Sequence, residues 1–369
     1  MTINRMPSLV IGDLELSLPI VQGGMGVGIS LSGLASAVAE EGGIGVISAA
    51  GIGREEKDFY KDLRAADERA LRKEIRRARE LSNGIIGVNL MMALSDYDTL
   101  LKASIEEGID VAFISAGLPI RLPENFTVEE FRNCKTKLIP KISSARAAAV
   151  ILKSWKRLFN RVPDGFVVEG PLAGGHLGFT RHELETESQN LEDILEGVIN
   201  SVKPYENDYG SIPVIAAGGI YTGADIHRML SLGAAGVKMG TRFVATHECD
   251  AHQSFKQAYI DCEKEDIVII DSPVGLPGRA IGGRFLDQVR AGIKQPLGCI
   301  WQCLVTCDVK TAPYCIGKAL NNAKMGDFCN GFAFAGANAY RVKEIVSVKE
   351  LCSTLVKEYE NFSQNTAVN

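Results

Sequence analysis

No stretch of this 369-residue chain holds 18 consecutive apolar residues, so no helix that crosses a bilayer is expected. The opening residues, Met1 to Pro7, lack the long apolar core of a secretory signal. Neither sign of charge dominates: 40 basic against 45 acidic side chains leave a net charge of −5. With no basic tract, nothing suggests nucleic acid or a membrane surface as a partner. Aromatic residues are sparse at 7%, but the 46% apolar and 23% charged fractions are those of an ordinary globular protein. They exclude a disordered chain, a coiled coil and a collagen-like repeat. Nine cysteines without a secretory leader point to the reducing cytoplasm rather than to a disulfide framework.

Glycine, in contrast, is plentiful. The 38 glycines cluster after short apolar runs, where loops approach a ligand closely. Eight such runs read as strands: 19–22, 44–48, 85–89, 111–115, 137–142, 165–169, 213–217 and 236–240. They are rich in Val and Ile and continuous rather than alternating, as in parallel strands covered on both faces. Helical segments lie between them at 34–41, 67–81, 100–107, 145–157, 191–202 and 224–232. Thr222 and Asp225 have capping-box spacing, and Gly233 is a stop. Eight strand–helix units predict an α/β fold, a TIM (β/α)8 barrel over 1–246 with a smaller accessory region at 247–369. That region is expected to be largely helical, with a cysteine cluster at 299–329 and a last helix that packs back on the barrel. An open dinucleotide-binding sheet fits less well. Gly24-Met25-Gly26-Val27-Gly28 misses the G-x-G-x-x-G spacing, and no acidic residue ends a second strand.

In such barrels chemistry sits at the carboxyl ends of the strands, and phosphate often sits beyond the last two. Here Ala217-Gly218-Gly219-Ile220 and Met239-Gly240-Thr241-Arg242 follow strands seven and eight. Their backbone N–H groups, and the capped helix near Thr222, suit a phosphate ester. The alternative is that these glycines only make tight turns. Gln22-Gly23-Gly24-Met25 after strand one leaves little side chain, as a flat ring lying on backbone requires. Asn89 ends strand three, where Asn is more often a turn cap. Glu169 and His176 flank a glycine-rich loop after strand six; the neighbours of His176 are too small to pack it, so a longer-range partner or a ligand must position it, a solvated histidine being the alternative. Lys141 ends strand five and Lys238 interrupts the apolar strand eight. A buried lysine needs an anionic partner, either Glu169 or a ligand; an internal ion pair without redox role is the alternative.

These motifs together, Gln22-Gly23-Gly24-Met25, Gly87-Val88-Asn89, Glu169-Gly170 with Ala173-Gly174-Gly175-His176, Ala216-Ala217-Gly218-Gly219-Ile220 and Gly240-Thr241-Arg242-Phe243, resemble the nitronate monooxygenase family. That family, formerly 2-nitropropane dioxygenase, includes the flavin-dependent enoyl-ACP reductases of the FabK type. The resemblance covers about residues 15–290. It implies an FMN-binding barrel with flavin contacts at Gly23, Gly24, Met25, Asn89, Glu169, Gly174, Gly175, Gly218, Gly219, Gly240 and Thr241. It also implies His176 as the catalytic histidine. Lys141 and Lys238 are added here as cofactor-binding candidates.

Cys299, Cys303, Cys307 and Cys315 form C-x3-C-x3-C-x7-C. On a helix the first three share one face, because a four-residue step drifts only about 40°. Core packing is the expected role and no metal is assigned, with these four as the metal-ligand candidates. His247, Cys249 and His252 match no zinc spacing.

Three functions are compatible with these features. One is an FMN-dependent oxidoreductase that oxidises alkyl nitronates with oxygen, using His176 beside the flavin as base or anchor. The second is an enoyl-thioester reductase with NAD(P)H and acyl carrier protein as partners. The third is a non-catalytic sensor of FMN or another phosphate ligand, disfavoured by the intact histidine. A small-molecule substrate is expected, and a homodimer is an assembly open to the chain.

Overall fold

The structure, a computed structural model, describes residues 5–293, 299 and 302–366. All eight expected strands form one closed parallel barrel. They are β3 (Ile20–Gln22), β4 (Ile44–Ser48), β5 (Ile85–Met91), β6 (Val111–Ser115), β7 (Lys137–Ile142), β8 (Phe166–Glu169), β10 (Val214–Ala217) and β11 (Gly236–Met239). Side chains alternate in and out. Val21, Val46, Val111, Phe113, Ile139, Val167 and Ile215 fill the inside, while Ile47, Val88, Ile114 and Val168 pack against the helices. Because both faces are dry, the strands read as unbroken apolar runs.

Two strands that precede the barrel went unread. β1 (Leu9–Ile11) and β2 (Leu14–Leu16) form an antiparallel hairpin joined at Gly12-Asp13, with Gly12 at φ 61°. Leu9, Ile11 and Leu16 join the inner cluster, so the hairpin closes the amino-terminal end of the barrel. A glycine-containing two-residue turn between alternating apolar residues was the available signal.

The predicted outer helices are present, with shifted ends. The second starts at Leu63, capped by Asp62, and the fifth runs through Pro204 to Tyr209. After β11 and the short helix Thr241–Val244 the chain departs, and it returns where it left: Thr246 bridges Val346, and His247 N–H donates to Val346 O at 2.9 Å. The last helix, Val348–Thr366, then packs against the helices Gly223–Ser231 and Ser32–Glu40, completing the outer ring. The approach is close: a Cβ on Gly223 would stand 2.2 Å from the Tyr359 nitrogen.

The segment between Thr246 and Ser347 is less helical than expected. It has helices at Gln253–Ile260, Arg284–Arg290 and Ile316–Lys324, but also β12 (Ile267–Asp271), β13 (Pro277–Ile281) and long irregular stretches. β12 and β13 make an antiparallel sheet with β9 (Gly175–His176), a two-residue strand in the loop after β8. The expected helix through Cys299, Cys303 and Cys307 is not found among the described residues. Leu304 instead bridges Leu94, and Val305 N–H donates to Ala93 O, so tertiary pairing overrides the four-residue spacing. None of the described helices is long and apolar enough to cross a membrane.

Leu16→Ala should lower stability by about 2–5 kcal/mol, because it opens a cavity in a barrel end that cannot collapse. Denaturant midpoints measure it; a loss below about 0.5 kcal/mol would show that the hairpin does not plug the barrel.

Candidate functional site

The inside of the barrel mouth carries two ammonium groups and one carboxylate. Lys141 Nζ donates to Glu169 Oε1 at 2.6 Å, so Glu169 is taken. Lys238, on β11, projects inward beside this pair; its Nζ lies over the Phe113 ring at 3.8 Å and finds no hydrogen-bond acceptor among the described residues. Of the two partners expected for Lys238, Glu169 is therefore excluded as a direct contact. Burial, with the Lys141 charge added, pushes the Lys238 ammonium down to about 7 against the pull of Glu169. Cation–π contact with Phe113 offsets only part of that desolvation.

Around these charges the glycine-rich strand ends form a continuous rim. Gly23 N–H donates to Met239 O at 2.7 Å, and a Cβ on Gly23 would stand 3.0 Å from Gly240 Cα. A Cβ on Gly24 would overlap the Asn89 side chain at 2.4 Å; one on Gly240 would meet only Met25 Sδ, at 3.9 Å. Gly218 and Gly219 hold φ of 94° and 84°, and each leaves less than 3.0 Å for a Cβ against Gly170 or Leu172. Gly174 touches the backbone of Ala335 and Gly336, and Gly336 N–H donates to Thr241 Oγ1 at 3.2 Å. Thus Gly23, Gly24, Met25, Asn89, Gly174, Gly218, Gly219, Gly240 and Thr241 share one rim, and Lys141, Glu169 and Lys238 lie within it.

One expected donor is absent from the rim. Asp225 accepts the N–H groups of Tyr221 and Thr222, and Glu358 accepts that of Gly223 at 2.7 Å. Two carboxylates already occupy the end of the helix Gly223–Ser231, so it does not face a phosphate. The capping box itself and the stop at Gly233, φ 96°, are as expected.

His176 sits on β9, held through the pairing of His176 with Gly278 on β13. Its Nε2 is 2.7 Å from Ser272 Oγ, and its ring meets the Phe334 edge at a centroid distance of 4.9 Å. Gly175, φ 81°, has no heavy atom within reach of a Cβ and leaves the ring's approach open. Burial first, and the Lys141 charge second, lower the imidazole to about 4. His176 is therefore neutral at neutral pH.

The family model for nitronate monooxygenase matches residues 8–358. The chain belongs to the nitronate monooxygenase family. Named members and relatives of this family are oxidoreductases. The chain is 27% identical, over 77% of its length and 81% of the relative, to a probable nitronate monooxygenase of Staphylococcus saprophyticus. It is also 27% identical over 274 residues to a 5-hydroxy-7a-methyl-1-oxo-octahydro-indene-4-carboxyl-CoA dehydrogenase of Mycobacterium tuberculosis, covering 74% of this chain but 66% of that protein. For the Rhodococcus jostii dehydrogenase of the same name the covered share is 64%. Among solved structures, FabK from Thermotoga maritima superposes with a TM-score of 0.74 at 27% identity, covering 95% of this chain and 96% of that one. A nitroalkane oxidase from Streptomyces ansochromogenes, at 23% identity and TM-score 0.72, shares the fold.

Several residues of the site escaped the sequence reading because they lie 100 residues beyond their partners. Ser272 and Phe334 hold His176, Arg279 binds Pro171 O and Ala173 O at 2.5 and 2.8 Å, and Asn338 donates to Gly219 O at 2.7 Å. The alternating small and aromatic residues of Gly331–Gly336 were a signal for close packing, though not for its target. Gln22, quoted only as part of a motif, bridges the gap between β3 and β4 by accepting Val46 N–H at 2.7 Å.

The depressed His176 gives an acid-lability test on flavin-free protein. Unfolding restores an ordinary imidazole near 6.5, so the unfolded state binds more protons between about 6.5 and 4 and stability is lost as pH falls through that window. Between pH 7 and 5 the loss is about 1–2 kcal/mol, which His176→Asn should remove. Melting temperatures at both pH values read it, and equal drops in the two proteins would contradict a buried neutral histidine.

Proposed function

We propose that the protein is an FMN-dependent oxidase of alkyl nitronates that uses oxygen. The observation that carries this reading is the uncompensated Lys238 ammonium beside the Lys141–Glu169 pair, at the floor of a rim made of glycine backbone. A bound FMN supplies the two-electron acceptor and the path to oxygen. Lys238 and Lys141 would hold the anionic edge of the ring system, and the glycines of strand one would let the ring lie on backbone. The N–H groups of the loops at Gly218–Gly219 and Gly240–Thr241 would receive the phosphate without the help of the helix at Gly223.

A neutral His176 suits a substrate that arrives already ionised. An imidazole lowered to about 4 is a weak base toward a neutral nitroalkane, but it can donate or accept a hydrogen bond to a nitronate oxygen. Ser272 fixes its ring and Phe334 keeps that side dry.

The similarity to FabK and to the indene-carboxyl-CoA dehydrogenases, whose named substrate is a CoA thioester, supports a second reading, an NAD(P)H-dependent enoyl-thioester reductase. A carrier protein would need a basic docking face. In the most basic helix, Leu63–Leu81, four of the six arginines are instead bound to acids: Arg69 to Asp58, Arg72 to Glu68, Glu106 and Glu107, Arg76 to Glu107, and Arg79 to Asp110. That favours the small substrate.

Purified protein should be yellow with FMN, and ethylnitronate added without oxygen should bleach the flavin band faster than NADH does. The reverse order of rates would move the assignment to the reductase. His176→Ala should keep the flavin and lose about 10²–10⁴-fold in turnover. Lys238→Met should lower the flavin midpoint potential, because the reduced anion loses its cation; an unchanged potential would remove Lys238 from the cofactor site.

A further inference from the structure

Seven of the nine cysteines fall into two environments. Cys249, Cys262 and Cys352 are core residues with 4%, 2% and 3% exposure, as packed thiols should be. Cys299, Cys303, Cys307 and Cys315 are all only partly buried. They do not form the buried helical stripe that packing would require. The backbone at Cys303 is irregular and tied to the loop after β5, where Ser95 N–H donates to Cys303 O at 3.1 Å. Cys315 stands at the start of the helix Ile316–Lys324 and caps none of its N–H groups.

These four thiols gather from two directions. Cys303 packs against the cluster of Phe59, Leu63 and Ala66, the Phe59 ring carries the Arg54 guanidinium at 5.2 Å, and Arg54 reaches Gly317, two residues beyond Cys315. Among the described residues no three such side chains stand at the spacing of a single bound ion, so a lone zinc ion would have to draw the thiols together. Beside them stands Arg54, whose charge also reaches Cys303. Its Nε is buried without an acceptor among the described residues, and its guanidinium presses on the helix start so closely that a Cβ on Gly317 would meet Nη2 at 2.0 Å. A cation with an unused donor calls for an anion.

We propose that Cys299, Cys303, Cys307 and Cys315 form a four-thiolate site for a thiophilic metal centre, either a zinc ion or an iron–sulfur cluster. Four thiolates on either centre leave roughly two net negative charges. Arg54 supplies a compensating charge and a donor to a ligand sulfur, the outer contact such sites require. The site ties the inserted segment to the loop Ala93–Ser95, which follows the strand bearing Asn89. It does not depend on the flavin reading.

The test is metal content of the whole protein, purified without oxygen, and again after reconstitution with ferrous iron plus sulfide or with zinc alone. About one zinc per chain, or iron with matching acid-labile sulfide, is expected, and the sulfide distinguishes the two. Cys307→Ser should reduce retained metal at least about tenfold, and Arg54→Gln should weaken zinc affinity about 10–100-fold. Flavin content should not change in either variant. Cys329→Ser, at an exposed cysteine outside the group, should retain the metal. Substoichiometric metal under all three conditions, or wild-type metal in Cys307→Ser, would overturn the site.

Discussion

An imbalance of charge at the barrel mouth organises the site: two lysines share a dry enclosure with one carboxylate. Lys141 takes Glu169, and Lys238 is left with the Phe113 ring beneath it. The cost of burying that ammonium lowers its affinity for a proton, and the Lys141 charge also keeps His176 neutral. An anionic ligand relieves all of these at once, so the enclosure favours anions before any particular contact is made.

The inserted segment 247–345 turns this enclosure into a site. It leaves and rejoins the barrel at the Thr246–Val346 bridge, so it can pack over the mouth without disturbing the outer ring. From it come the strand that aligns His176, the Phe334 ring, the Asn338 amide and the cysteine cluster. A barrel without it would keep the lysines and the glycine rim but lose the orientation of the histidine.

The small residues of the rim have a common physical reason. Gly23, Gly24, Gly218 and Gly219 sit where a Cβ would strike a neighbouring strand or loop. Backbone donors can approach a flat or phosphorylated ligand only if that space stays empty. Their clustering after apolar runs was therefore visible before any fold was known.

The chain's own order of residues determined the barrel, because parallel strands dry on both faces must be continuous apolar runs and their loops must carry the glycines. It also determined which strands carried Lys141, Glu169 and Lys238, and which loop carried His176. The tertiary structure alone decided how these groups were paired. Glu169 chose Lys141, Glu358 closed the helix end offered to phosphate, and pairing with Leu94 kept the cysteines from forming a helix. These contacts join residues about 30 to more than 200 positions apart. Local spacing carries period and propensity, whereas burial and partner choice arise only when distant segments meet.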